Sequence, residues 1–322
     1  MPVGISTARP ACLADDKARF PCPRRAILAQ SRYSDVMSDT PAPPNRWTVA
    51  GRDTDFGPTP RIFGILNVTP DSFSDGGQHD AVDTAVAHAK RLLAEGADVI
   101  DVGGESTRPG ATPVEEAEEL RRTVNVVRAV AATGAVVSID TTKAAVAEAC
   151  LNAGATVLND ISGLTFDPRM PEVAAASDCG VVCMHIRGTP QTMQNEPRYD
   201  DVVSEVRDWL LCRVEALGRV GVAAERIALD PGVGFGKTAE HNVHLLRSIA
   251  DLRAAGHAVL VGHSRKRFVG RIVGREVDER LAGTVGVSLA MAAAGVEMLR
   301  VHDVAANRDA ITAFAAVRGT AL

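Results

Sequence analysis

The stretch AEGADVIDVGGE, residues 94–105, decides the fold. It joins the end of a helix-period segment to a glycine, a short apolar run and a closing polar side chain. A glycine at a helix end accepts left-handed backbone, and a continuous apolar run suits a strand that is buried on both faces. The stretch therefore predicts one step from a helix to a parallel strand.

The same phrase recurs along the chain. It returns as ATGAVVSIDT (132–141), NAGATVLNDI (152–161), AAGHAVLVGHS (254–264) and AAGVEMLRVHD (293–303), and more loosely as SDCGVVCMH and RIALDPG. An opening strand near Arg61 to Asn67 completes eight predicted strands, which are centred near Gly64, Val99, Val137, Val157, Val182, Ala228, Val259 and Leu299. Eight such units over about 250 residues predict an α/β fold, a single-domain (β/α)8 TIM barrel. An open doubly wound sheet is the alternative.

The N-terminal segment differs from this pattern. Residues 1–45 carry six Lys or Arg with scattered Pro and no sustained apolar period, which predicts a disordered extension. The barrel domain is then expected over residues 46–318. Residues 46–60, with Trp47, are expected to form a small hairpin that covers the barrel floor.

Composition excludes several classes of partner. The chain has 40 acidic and 35 basic residues and a net charge of −5, so it has no cation excess for a nucleic-acid backbone. The uncharged stretch 281–296 is too short to span a bilayer, which takes roughly 20 apolar residues. The six cysteines lack metal-ligand spacing and are expected to be small buried hydrophobes. A soluble cytoplasmic protein is predicted.

Polar residues close the predicted strands. In TIM barrels the active site lies at the carboxyl ends of the strands, so these side chains should converge on one mouth. They are Asn67, Asp101, Asp140, Asn159, His185, Asp230, Ser264, Lys266, Arg300 and His302.

The chemistry of this group indicates its ligand. Asp140, Asn159 and Asp230 offer buried acceptors, which call for a flat ligand rich in N–H donors, such as a 2-amino-pyrimidinone face. Lys266 can donate to a ring carbonyl. Arg300 and His302 lie two apart on the last strand and predict an anion clamp. Each residue taken alone could equally cap a helix or form a turn.

Two long loops follow the first two strands. VTPDSFSDGGQHD and GGESTRPGATP are rich in Gly, Pro, Ser and Asp, which is typical of loops that move. Their residues Phe73, Thr107, Arg108 and Pro109 are expected to close over a second substrate, and simple turn chemistry is the alternative.

Two further stretches are interpreted as having no chemistry of their own. GVGFGKT, residues 232–238, looks like a nucleotide P-loop, but three residues separate Gly232 from the Gly236-Lys237 pair where that motif needs four. The acidic stretch EEAEELRR, residues 115–122, is expected to be a solvated helix face.

From Arg61 to Val304 the chain resembles the dihydropteroate synthase family. The resemblance is carried by NVTPDSFSDGG, ESTRPG, SIDTTK, NDIS, DPGVGFGK, SRK and RVHDV, in the order of the family. It implies condensation of 6-hydroxymethyl-7,8-dihydropterin diphosphate with 4-aminobenzoate, Mg²⁺ as cofactor and a homodimer. Such enzymes make folate and are targets of sulfonamides.

The resemblance also implies roles for individual residues. Asp140, Asn159, Asp230 and Lys266 hold the pterin, with Met184 beside its ring. Asn67 binds Mg²⁺ and diphosphate, joined by Thr107, Arg108, Arg300 and His302. Phe73, Pro109 and Phe235 line the aminobenzoate slot, and the helix after Lys266 begins at its carboxylate. The catalytic set is Asp140, Lys266, Arg300 and His302.

Two residues depart from the family pattern. Arg267 replaces a common Ser beside the aminobenzoate carboxylate, and Val233 replaces a common aromatic residue. The alternatives in function are a corrinoid methyltransferase on the same barrel, a catalytically silent pterin-binding homologue, and an aldolase that forms a Schiff base at Lys266. The methyltransferase lacks the NVTPDSFSDGG and ESTRPG runs.

Overall fold

A computed structural model describes residues 45–68 and 78–319, without the side chains of 78–81. The predicted extension, apart from residue 45, lies outside this range, as do Cys12, Cys22 and Phe73. The described residues all fall within one compact unit, Thr40–Leu322. The domain boundary at residues 45/46 therefore stays a prediction.

The predicted strands are present and form one parallel sheet. Its order is β8-β7-β6-β5-β4-β3-β10-β9, and a parallel bridge between Leu229 and Val259 joins its two edges. The barrel is therefore closed, which confirms the (β/α)8 prediction over the open sheet. The strands are β1 Thr48–Val49, β2 Arg52–Asp53, β3 Arg61–Asn67, β4 Val99–Gly103, β5 Val136–Asp140, β6 Val157–Asp160, β7 Gly180–Met184, β8 Ile227–Asp230, β9 Leu260–Val261 and β10 Met298–Val301.

Helices cover the outside of the barrel. They pack their apolar faces on strand residues that point outward, such as Ile62, Ile100 and Leu158. The helices are α1 Gln78–Ala94, α2 Glu116–Ala131, α3 Ala144–Asn152, α4 Met170–Ala175, α5 Val202–Arg219, α6 Ala239–Arg247, α7 Ile249–Arg253, α8 Arg267–Val273, α9 Leu281–Ala293 and α10 Val304–Val317. No helix among the described residues is long and apolar enough to cross a membrane.

The lower half of the barrel interior is apolar. Phe63, Val182 and Leu260 belong to one buried cluster with Trp47 and Phe56. Strands β1 and β2 form the predicted hairpin, and the Trp47 indole donates to the Arg226 carbonyl at 2.9 Å. The hairpin therefore closes the bottom of the barrel with apolar side chains. A polar site can then lie only at the other end, where the carboxyl ends of the strands are.

Two expectations about exposure were wrong in part. Cys150, Cys179 and Cys183 are buried as predicted, but Cys212 on α5 is exposed. Glu119, in the acidic stretch interpreted as a solvated face, is only 1% exposed. It extends the buried stripe of α2 toward the barrel mouth, where it accepts from Thr141 Oγ1 at 2.7 Å and pairs with Lys143 at 2.5 Å.

Candidate active site

The strand-end side chains meet at one level of the barrel. Asn67 of β3 is in register with Gly103, Gly103 with Asp140, and Asp140 with Asn159. Successive strand residues alternate between the two faces, and those in register with one another at this end point into the mouth. Gly262 closes the ring, because a Cβ there would lie 3.8 Å both from Arg300 and from an oxygen of Asp230. The predicted convergence is present for these residues, whereas His185, which was predicted to join them, packs against Trp209 and Tyr199 instead.

Arg300 is shared by two carboxylates. Its Nε lies 2.5 Å from Asp101 Oδ2, and its Nη2 lies 2.6 Å from Asp140 Oδ2. Asp101 is fully buried, and both of its oxygens lie 3.4 Å from the amide nitrogen of Asn159. One edge of the guanidinium is thus used within the protein. Three of its five N–H donors, two on Nη1 and one on Nη2, are left for a phosphate.

The protonation state of Asp140 depends on this environment. Burial raises the pKa of Asp140 to about 7, Arg300 opposes the rise, and Asp101 adds to it. The charged form of Asp140 therefore depends on Arg300. Near neutral pH the group is poised between its two states.

The residues at the barrel mouth form a cup, with Asp140, Asn159 and Arg300 on one side. Asp230 and Lys266 form the opposite side of this cup. Asp230 Oδ1 accepts from the Gly232 amide at 2.6 Å, and burial raises the pKa of Asp230 against the field of Lys266. Lys266 Nζ donates to the Val233 carbonyl and lies 4.5 Å from the centre of the Phe235 ring. Withdrawal from solvent lowers the pKa of Lys266 to about 8, although Asp230 opposes this. Both groups can exchange these partners for a ligand.

A polar rim surrounds Asn67 and His302. A cavity of about 610 Å³ opens between this rim and helix α1, which contributes His88 and Arg91 to its lining. The lining also includes Arg265 and Asp303, which pair at 2.5 Å. His302 Nδ1 lies 3.0 Å from Ser264 Oγ. Burial, then Arg300 and Arg265, lower the pKa of His302 to about 4. His302 is therefore neutral at pH 7 and offers a hydrogen bond rather than a charge.

An apolar wall adjoins the cup. Met184 and Phe235 belong to one buried cluster with Ile161, Ile186 and Met193. The places of Met184 beside the ring and of Phe235 in the amine slot, which the resemblance implies, stay predictions.

The remaining predicted residues lie at the rim. Thr107 is partly exposed, and Arg108 and Pro109 are exposed on the loop after β4. The charge of Arg108 is among those that lower the pKa of His302. Arg267 is exposed at the first position of α8.

Some contributors were missing from the predicted site. Asp101 was recognised as a strand-end residue, but its bond to Arg300 was not foreseen. Lys237 is 3% exposed and lies 2.9 Å from His185 Nδ1, behind the loop that carries Phe235. The alternation of β4 was a usable signal for Asp101, because it points Asp101 and Gly103 to the same side.

The fold and the site together define a class of protein. A closed (β/α)8 barrel whose polar side chains meet at the carboxyl ends of its strands has the architecture of a TIM-barrel enzyme. The chain belongs to the pterin-binding enzyme family, described as "Pterin binding enzyme", which matches residues 63–302.

Named relatives are similar over most of the chain. A dihydropteroate synthase from Synechocystis sp. is 46% identical over 254 residues, which cover 78% of this chain and 88% of that protein. One from Escherichia coli K12 is 43% identical over 253 residues, with 78% and 89% covered.

A solved structure agrees with them. Dihydropteroate synthase from Xanthomonas albilineans with 4-aminobenzoic acid gives a TM-score of 0.79 at 46% identity, covering 86% of this chain and 99% of that one. The structure from Burkholderia cenocepacia complexed with 7,8-dihydropteroate gives 0.78 at 43% identity, with 86% and 97% covered.

Proposed function

We propose that this chain is a dihydropteroate synthase. It condenses 6-hydroxymethyl-7,8-dihydropterin diphosphate with 4-aminobenzoate, giving 7,8-dihydropteroate and diphosphate in folate synthesis. The observation that carries the proposal is the single cup in which Asp140, Asn159 and Asp230 face Lys266 and Arg300. Its relatives of at least 43% identity carry the same name.

The acceptors hold the pterin ring. The carboxylate of Asp230 accepts two parallel N–H bonds from the 2-amino-pyrimidinone face, which fixes orientation as well as affinity. Lys266 leaves the Val233 carbonyl and donates to the ring oxygen and nitrogen. Asn159, already close to Asp101, offers its amide oxygen.

The departing diphosphate leaves on the side of Arg300 and His302. The C–O bond breaks with its electron pair on the diphosphate, and the pterin methylene becomes a cation. The neutral amine of 4-aminobenzoate then forms the C–N bond and releases one proton to solvent. Asp140 favours the cation electrostatically, and no strong general base is required.

The second substrate lies over the rim. Phe235 supplies an apolar face, and Pro109 and Phe73 close the slot, Phe73 being outside the described residues. Arg267 at the start of α8 places a cation and backbone amides where the aminobenzoate carboxylate is expected. Arg267 would thus take over the contact of the usual Ser with a longer, charged group.

Mg²⁺ fits this site only together with its substrate. Among the described residues no group of three or more His, Cys, Asp or Glu can hold a metal ion. Mg²⁺ is commonly bound by one or two protein oxygens plus substrate phosphates, and Asn67 supplies one such oxygen beside the cavity. When bound, Mg²⁺ would neutralise charge on the diphosphate.

The assay of the proposed function is diphosphate release that depends on 4-aminobenzoate. We expect product with Mg²⁺ present and a large loss of rate when a chelator removes it. Omitting 4-aminobenzoate is the control. Mass spectrometry that shows no dihydropteroate would contradict the proposal, and a substrate adduct trapped by borohydride at Lys266 would favour a Schiff-base enzyme instead.

The rate should depend on pH through two groups. The pKa of Asp140 is raised to about 7 and that of Lys266 is lowered to about 8. We expect kcat/KM for the pterin substrate to rise as pH increases through about 7, where Asp140 becomes charged, and to fall above about 8, where Lys266 loses its proton.

Variants assign the two limbs of this profile. Asp140→Asn should remove the step near pH 7 from the acidic limb and leave only the fall that comes with protonation of Asp230, whose pKa burial also raises. Lys266→Arg should remove the basic limb, because a guanidinium keeps its proton. A wild-type profile that is flat between about pH 6 and 9 would show that neither group controls the rate.

Self-association and cellular location are part of the proposal. The helix α9, LAGTVGVSLAMAA, carries no charged residue and exposes Leu281, Gly286 and Ala290. Ile272 on the neighbouring α8 is 59% exposed. An uncharged helix with an open apolar face supports a homodimer, which the mass in solution tests. The balanced charge and the small-molecule substrates suit a cytoplasmic enzyme.

A further inference from the structure

The stretch GVGFGKT, residues 232–238, which only looks like a P-loop, contains a buried lysine, Lys237. Lys237 Nζ lies 2.9 Å from His185 Nδ1, 3.0 Å from the Phe235 carbonyl and 3.4 Å from the His185 carbonyl. Burial holds the pKa of His185 well below its usual range, so the ring is neutral. Burial also holds the pKa of Lys237 well below its usual range, and Asp230 opposes this. With the proton on Nε2, His185 offers Nδ1 as an acceptor, and the three neighbours then accept from the Lys237 amino group.

This lysine joins the ends of two strands. His185 follows β7, and Lys237 lies in the loop of residues 231–238 that follows β8. The His185 ring is held edge-on against Trp209, with ring centres 5.0 Å apart. Lys237 therefore bonds to a fixed partner.

The loop of residues 231–238 is pressed onto the β7 end. A Cβ on Gly232 would lie 1.8 Å from the His185 carbonyl oxygen, and one on Gly236 would lie 2.5 Å from the Arg187 carbonyl oxygen. Both glycines also have positive φ. The Tyr199 hydroxyl donates to the Gly236 carbonyl at 2.9 Å. The glycine spacing thus serves close packing and not phosphate binding.

The same loop presents three contacts to the cup. The Gly232 amide donates to Asp230, the Val233 carbonyl accepts from Lys266, and the Phe235 ring lies beneath the Lys266 ammonium. A change in the loop backbone would move all three together.

We propose that Lys237 is a positioning residue, which fastens the loop 231–238 to His185 and so sets the geometry of Asp230, Lys266 and Phe235 toward the pterin. The inference rests on the proposed function and extends it to a residue that touches no substrate.

Loss of Lys237 should also change the pH dependence of pterin binding. Burial raises the pKa of Asp230, and the cations that oppose the rise are Lys266, Lys237 and Arg300, together with the Gly232 amide. Removing Lys237 takes away its share of this positive charge and loosens the Gly232 amide. The pKa of Asp230 then rises further, and pterin binding needs a higher pH.

The test compares two variants at opposite ends of the same strands. Lys237→Met removes the three bonds at the mouth. Arg226→Met is the matched control, because Arg226 donates to the carbonyls of Cys179 and Ala174 at 2.9 and 2.7 Å below β7 and β8. Binding of 6-hydroxymethyl-7,8-dihydropterin is titrated from about pH 5.5 to 8.5, the range in which raised carboxyl pKa values fall.

We expect Lys237→Met to weaken pterin binding about tenfold, the effect of roughly 1.4 kcal/mol. The loss of affinity at acidic pH, which is the acidic limb of the binding curve, should also begin at a higher pH than in the wild type. Arg226→Met should lower Tm and leave both the affinity and the limb unchanged. Binding by folded Lys237→Met within twofold of wild type with an unshifted limb would overturn the proposal, as would an equal change in Arg226→Met.

A milder variant keeps the test decisive if Lys237→Met does not fold. Tyr199→Phe deletes only the bond to the Gly236 carbonyl and should weaken pterin binding about threefold in the same direction, the loss of part of one hydrogen bond. Unchanged binding in Tyr199→Phe would then count against the proposal. If the wild-type chain itself binds no pterin, the proposed function fails; if it binds and Lys237→Met matches it, only the role of Lys237 fails.

Discussion

Asp140→Asn should lower kcat by about 10²- to 10³-fold, the usual effect of deleting one group that stabilises transition-state charge. In the proposed mechanism the buried Asp140 carboxylate faces the pterin ring, and its negative charge favours the developing methylene cation. Asparagine retains an oxygen for Arg300 Nη2, which lies 2.6 Å from Asp140 Oδ2. The fold should therefore persist, and the rate of diphosphate release measures the lost charge.

A neighbouring acid provides the control. Asp160 of β6 is also fully buried, and burial raises its pKa to about 6. It alternates with Asn159 and points toward the helices. Asp160→Asn should change Tm but leave kcat within about threefold, a difference of less than roughly 1 kcal/mol. If Asp140→Asn also stayed within threefold, Asp140 would have no electrostatic role.

Arg300→Met should abolish turnover and destabilise the barrel by about 3–5 kcal/mol, the typical result of removing one partner of a buried ion pair. The change leaves two carboxylates, Asp101 and Asp140, without their shared cation. It also removes the guanidinium donors that remain for the anion, on Nη1 and Nη2. Chemical denaturation and the diphosphate assay measure the two losses separately.

The stability loss should depend on pH. The pKa of Asp140 in the folded chain already lies above its usual value, and loss of Arg300 raises it further. Below that pKa the carboxyl is neutral, so the substitution should lower the free energy of unfolding less at pH 5.5 than at pH 8. Arg300→Lys restores a point charge without the planar edge and should recover more stability than rate. Equal destabilisation at both pH values would contradict the shared-cation account.

The barrel and its mouth were predictable because both depend on local pattern. Each repeat of the glycine-containing sequence motif encodes its own helix end and strand. The carboxyl ends of parallel strands then all lie at the same end of the barrel. This is why Asp140, Asn159 and Asp230 could be assigned to one site before their contacts were known.

The contacts that sequence did not reveal are long-range. Asp101 and Arg300 are 199 positions apart, so nothing local indicates that they pair. Glu119 had a weak signal, because Glu119, Thr123 and Val126 follow the buried stripe of α2. Its charge suggested solvent, and burial was possible only because Lys143 and Thr141 compensate it.

The closure of the barrel has a consequence for ligand retention. Strand β9 spans only Leu260–Val261, and a single bridge between Leu229 and Val259 joins it to β8. Asp230 and Lys266 stand on opposite sides of that seam. A pterin that binds to both residues, as proposed, would connect the two strands where the barrel closes. Substrate binding should therefore make local opening of the barrel at this point less favourable.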